Sequence, residues 1–164
     1  MSEAVRAAVD DVSVHIRDRF IKLNLTNWEA ATNGGQGALD AAAQARGEWM
    51  RFWADPDAYQ RFKAWDENGA AGDDAHLARM LRMLHLGFAE GQRDPSTIDE
   101  ITALSKSLDD AYTNFRSEVN GARLTANAID QILASETDSE RRRAAWEASK
   151  QIGPRVADPI RRLA

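Results

Sequence analysis

The chain has 164 residues, of which 43% are hydrophobic and 29% charged; it has no cysteine and a net charge of −5. That length suffices for one domain with a real core, and the missing cysteines exclude disulfides and thiolate metal sites. The acidic balance argues against a nucleic-acid binder, and abundant alanine with thinly spread valine and isoleucine favours helix over sheet.

The opening "MSEAVRAAVDDVSVHIRDRF" carries a charge every few residues. It has no apolar run of the kind a signal peptide or a membrane span requires, so a cytoplasmic location is expected. Val5, Val9, Val12, Ile16, Phe20 and Leu23 recur at steps of three and four, the stripe of a long amphipathic helix over about 3–32. "TNGGQG" at 32–37 ends it, because Asn33 and the glycines tolerate positive φ at a helix C-terminus. A second helix is expected over 38–54, with Leu39, Ala42, Trp49, Met50 and the pair Phe52/Trp53. Asp55-Pro56 then supplies a cap and a proline at the first helical position, opening a short helix through Tyr59, Phe62 and Trp65.

"ENGAAGDD" (67–74) is the next break, and a helix over about 74–91 follows with Leu77, Met80, Leu81, Leu84 and Phe88. Asp94-Pro95 repeats the cap-plus-proline signal ahead of a fifth helix over about 95–118, carrying Ile98, Ile101, Leu104, Leu108, Tyr112 and Phe115. "NGARLT" (120–125) is a turn or a brief extended stretch, and a sixth helix fits 126–134 with Ile129, Ile132 and Leu133. In "SETDSE" (135–140), Thr137 and Glu140 have capping-box spacing for a seventh helix. Gly153 suits the position just past that helix, and Pro154 the start of the next. Leu163 beside the last residue reads as a helix cut in mid-course. No internal repeat is evident, so the expectation is one all-α domain spanning 1–164, about seven to eight helices packed mostly antiparallel through short turns.

Residues that carry chemistry are sparse. His15, His76 and His85 are never three or four residues apart, so no helix turn offers two imidazoles to one metal ion. Asp10/Asp11, Asp73/Asp74 and Asp109/Asp110 are adjacent pairs that point to different helix faces; they suit helix starts and solvated faces, not an acid–base dyad. "NGGQG" follows a helix and lacks Lys-Ser/Thr, so it is not a phosphate loop. Trp28, Trp49, Trp53, Trp65 and Trp146 offer surfaces for stacking a ligand, but their spacing among aliphatic neighbours favours core wedges between helices, with Trp49 and Trp53 sharing a face. No catalytic, cofactor-binding or metal residue is assigned within the chain.

The sharpest stretch is "RRRAAWEASKQIGPRVA" (141–157). Arg142, Trp146 and Lys150 stand at i, i+4, i+8, so Arg142 is expected over the indole, and Arg143 and Glu147 at i, i+4 are expected to pair. Residues 138–164 hold seven Lys/Arg against four Asp/Glu, a net of +3, which leaves −8 for the rest. The tail suits an acidic partner, although a basic face on a surface helix is the commoner meaning of such a charge run.

Within 132–164, Ser135, Asp138, Arg142 and the run Ala145-Trp146-Glu147-Ala148-Ser149-Lys150-Gln151-Ile152-Gly153 resemble a stretch in the N-terminal region of zinc peptidases of the angiotensin-converting-enzyme and oligoendopeptidase type. "NWEAATNG" (27–34), through Asn27, Trp28, Thr32 and Asn33, is similar to an earlier segment of that family. The resemblance implies an all-helical peptidyl-dipeptidase or oligopeptidase whose two helical halves flank a deep groove. These helices would form the lid that admits only short or unfolded peptides. Zinc, held by a His-Glu-x-x-His helix and a later glutamate, would activate water in the full-length enzyme. No position here matches that motif, so the chain is expected to be inactive alone, to lack its catalytic half as a partner, and to self-associate through unpaired apolar faces. Pro159 departs from the family pattern, restarting the last helix with Asp158 as cap or kinking it. The alternative is a free-standing helical interaction module without enzymatic activity.

Overall fold

The computed structural model describes residues 2–164. Eight helices run in the order α1 (Ser2–Asn33), α2 (Gln36–Trp53), α3 (Pro56–Glu67), α4 (Ala75–Gly91), α5 (Pro95–Asn114), α6 (Ala126–Ser135), α7 (Ser139–Ser149) and α8 (Gly153–Leu163). A short antiparallel hairpin, β1 (Ser117–Val119) and β2 (Ala122–Leu124), separates α5 from α6. None of the described helices is long and apolar enough to cross a membrane.

Helix α1 ends where the sequence demands. Gly34 takes φ +61°, and its N–H donates to the Ala30 carbonyl, the signature of a left-handed C-terminal glycine. The α1 stripe of Val5, Val9 and Val12 is buried together with Ala58 and Phe62 of α3 and Leu77, Leu81, Leu84 and Phe88 of α4. Phe62 is fully buried and stacks on Phe88, with ring centroids 5.4 Å apart and planes 6° from parallel. Two smaller clusters lie beside it. Ala30, Leu39 and Ala42 join α1 to α2; Ile129, Ala145 and Ala148 join α6 to α7 beneath the hairpin.

Helix starts follow local side-chain chemistry. Asp55 accepts from the amides of Asp57 and Ala58 ahead of Pro56, and Asp74 accepts from the Leu77 amide at 2.9 Å. Asp94 precedes Pro95 as expected but makes no side-chain cap bond. The cap of α7 is Asp138, not Thr137: its carboxylate accepts from the Arg141 amide at 2.9 Å, while Glu136 takes the amides of Thr137 and Asp138. An aspartate one residue later outcompetes a threonine because a carboxylate is the stronger acceptor at a helix N-terminus.

Three further expectations are corrected. Helix α5 stops at Asn114 instead of 118, because the next residues extend into β1. The two-residue turn Asn120-Gly121 has both φ positive, 51° and 84°, the conformation that asparagine and glycine tolerate best. Gly153 is the first residue of α8 and not a left-handed glycine beyond α7. Helix α8 runs continuously through Pro159, so Asp158 does not cap a new helix. Helix α8 packs on α5, where Val156 is buried and Arg162 reaches Glu100 at 2.6 Å.

Candidate functional site

Residues that carry the family-like stretches take mostly structural posts. The Gln151 carboxamide accepts from the Glu118 amide at 2.8 Å and donates to the Glu118 carbonyl at 3.0 Å, so α7's C-terminal turn satisfies the backbone of β1. Ala145 and Ala148 are buried against α6, and Thr32 donates to the Trp28 carbonyl at 2.9 Å. The Arg143–Glu147 pair forms at 2.9 Å. Lys150, not Arg142, lies over the Trp146 ring, 5.3 Å from its centroid. Both were spaced to reach the indole, and sequence spacing alone does not decide which side chain leans onto the ring.

The tryptophans divide into two groups. Trp49, Trp53 and Trp65 are half-buried, as wedges should be. Trp28 and Trp146 are not wedges: they are 70% and 56% exposed. On α1, Val14, Ile21, Leu25 and Trp28 are also exposed and follow one another at steps of seven, four and three. At 100° per residue they fall on the side of α1 opposite Val5, Val9 and Val12. Helix α1 therefore has two apolar stripes, of which this chain buries one.

The histidines do not converge. His15 lies on α1 within 3.7 Å of Asp11, and its side chain is half exposed. His85 packs inside the fold: its Nδ1–H donates to Asp66 at 2.7 Å, and Tyr59 lies against its ring. Arg82 also donates to Asp66, at 3.0 Å. Burial pushes the Asp66 carboxyl up, but the His85 and Arg82 hydrogen bonds outweigh it and hold the group below the usual carboxylate range. Among the described residues no set of three His, Asp or Glu side chains is placed to hold a metal ion. His85 and Asp66 form a histidine–carboxylate pair with no third ligand beside them among the described residues.

Other carboxylates are tied down by cations. Lys106 holds Asp40 below its ordinary value by a direct hydrogen bond, and Lys22 does the same for Glu48 with help from Gln44. The Leu77 amide is the main cause of the lowered Asp74 carboxyl; burial opposes it, and the Arg6 guanidinium adds to it. Arg46 pairs with Asp109 at 2.9 Å, yet its Nη1 and the Thr102 hydroxyl are buried without a partner.

The chemically most distinctive cavity is a cleft of about 310 Å³ between α2 and α4, walled by Trp49, Met50 and Trp53 and floored by Gly87, Glu90 and Gly91. The two indoles meet edge to face, 5.6 Å apart at 79°. Trp53 is pinned from behind by Phe88 at 4.9 Å and Phe52 at 5.2 Å. The tryptophan pair stands out in the sequence; its floor does not. Its signal was present: Gly87 and Gly91 stand one turn apart, as Trp49 and Trp53 do, and small residues at that spacing let helices approach closely. No protein-family model, curated protein or solved structure matches the chain.

Proposed function

We propose that the chain is the N-terminal helical lid and groove wall of a zinc-dependent oligopeptidase or peptidyl-dipeptidase of the cytoplasm. The observation that supports this most is the second apolar stripe of α1, which ends at Trp28, within the "NWEAATNG" segment. Trp146 of the other family-like stretch is exposed in the same way. A stripe of that kind suits a lid whose outer helix faces another half of the enzyme or a peptide held in the groove. Zinc would be bound, and water activated, by residues beyond this chain. The chain's own contribution would be shape: it narrows access and excludes folded substrates.

The coding region beyond the Ala164 codon provides the test. A His-Glu-x-x-His helix encoded in frame within a few hundred codons is the expected result. A natural stop codon directly after Ala164 would overturn the lid. The same α1 stripe, with its steps of seven, four and three, also suits a partner helix. A natural stop would therefore favour the second reading, a free-standing helical interaction module.

A further inference from the structure

We infer that the Trp49–Trp53 cleft is a binding site for an ammonium group carried on an unbranched aliphatic chain, such as the side chain of a lysine. Four observations carry it. First, at about 310 Å³ the cleft is at the small end of ligand sites and admits a single chain. Second, its walls are indoles and a thioether, the surfaces that best receive a methylene chain ending in a cation. Third, the protein places its own cations over Phe52, Phe62, Tyr59, Trp65, Phe115 and Trp146. Among the described residues none lies over Trp49 or Trp53, so neither indole that walls the cleft already carries a cation of the protein's own.

Fourth, Glu90 supplies the complementary charge. Its carboxylate has neither a hydrogen bond nor an ion pair among the described residues, whereas Asp99 of α5 is held by Arg51. Arg93 also borders the cleft and opposes a cation. Its guanidinium donates to the Glu90 carbonyl at 3.1 Å, which draws its charge to the end of α4. The walls are preorganised because Trp53 is locked between Phe52 and Phe88, so binding orders little of the protein.

This site stands independently of the lid. A lysine side chain of a peptide and a free alkylamine present the same ammonium on the same methylene chain.

The test is a titration followed through the indole N–H resonances in a two-dimensional ¹H–¹⁵N spectrum. The probes are Nα-acetyl-lysine-N-methylamide, its neutral norleucine counterpart and butylamine. The lysine probe should move the Trp49 and Trp53 resonances saturably and bind about fivefold more tightly than norleucine, the combined effect of a cation–π contact and an exposed charge pair. Glu90→Gln should weaken the lysine probe about two- to fivefold, and Arg93→Gln should strengthen it by a similar factor. Both positions are exposed, so both variants keep the fold. Butylamine binding as tightly as the lysine probe supports the site and assigns it to free amines; tighter lysine binding assigns it to peptides. Equal binding of lysine and norleucine, no saturable shift at either indole, or an unchanged affinity in both variants would overturn the proposal.

Discussion

Replacing Gly91 with alanine tests whether α4 meets α2 backbone to backbone. A Cβ at this position would lie 2.5 Å from Trp53 Cβ and 2.7 Å from its carbonyl carbon, with the carbonyl oxygen nearer still. These are atoms of the α2 backbone or bonded directly to it, so no rotamer change relieves the overlap. The helices must separate, and separating them loosens the Trp53 contacts with Phe88 and Phe52. Overpacking of this kind costs about 1–3 kcal/mol. Alanine is intrinsically the better helix former by about 1 kcal/mol, but Gly91 is the last residue of α4, where that gain is smaller. The net expectation is destabilisation by about 1–2 kcal/mol, or a fall in Tm of about 2–8 °C for a chain of this size. Urea unfolding followed by tryptophan fluorescence measures it. Gly37→Ala is the control: it lies in the first turn of α2 with nothing near the added Cβ, and should raise stability by about 0.5 kcal/mol. A Gly91→Ala protein as stable as the parent would refute the close approach of the two helices.

Phe62→Ala should cost about 3–5 kcal/mol, since a fully buried ring stacked on Phe88 leaves a cavity that its neighbours cannot fill; chemical denaturation reads it. Asp55→Ala removes the acceptor for two amides at the start of α3 and should cost about 1 kcal/mol, visible as a lower thermal midpoint. Asp66 has a folded-state pKa below its unfolded value of about 3.9, so its contribution to stability is fully present above about pH 4 and disappears as pH falls through the folded value. Comparing Asp66→Asn with the parent from pH 7 down to pH 2 should show a difference that shrinks only in the acid range; a gap independent of pH would contradict the assignment. Leu25→Ser with Trp28→Ser should reduce binding of an apolar fluorescent dye, or self-association, without lowering the thermal midpoint, because both side chains are already exposed; a large loss of stability would show that the outer stripe of α1 is not free.

Most of the helices were legible in the sequence because their determinants are local. Asp55-Pro56 and the three-and-four spacing of Val5, Val9 and Val12 act within a few residues and needed no partner to be read. The hairpin was only half read. Asn120-Gly121 carried the turn, but the period of Tyr112 and Phe115 argued for a longer α5. The strands that overrode that period hold by pairing with each other, and β1 by the Gln151 carboxamide 33 residues away.

What the residues determined alone was an all-α chain, most of its breaks and the Val5, Val9 and Val12 face of its first helix; Phe20, expected on the same stripe, is 55% exposed. Tertiary structure decided what those faces meet: that Trp28 and Trp146 point outward, that His85 is committed to Asp66, and that Gly87 and Gly91 let two helices form an open, indole-walled cleft with Glu90 at its edge. The division has a physical cause. Periodicity and capping energies act along the chain, whereas exposure, charge pairing and cavity shape depend on which distant helix arrives on the other side.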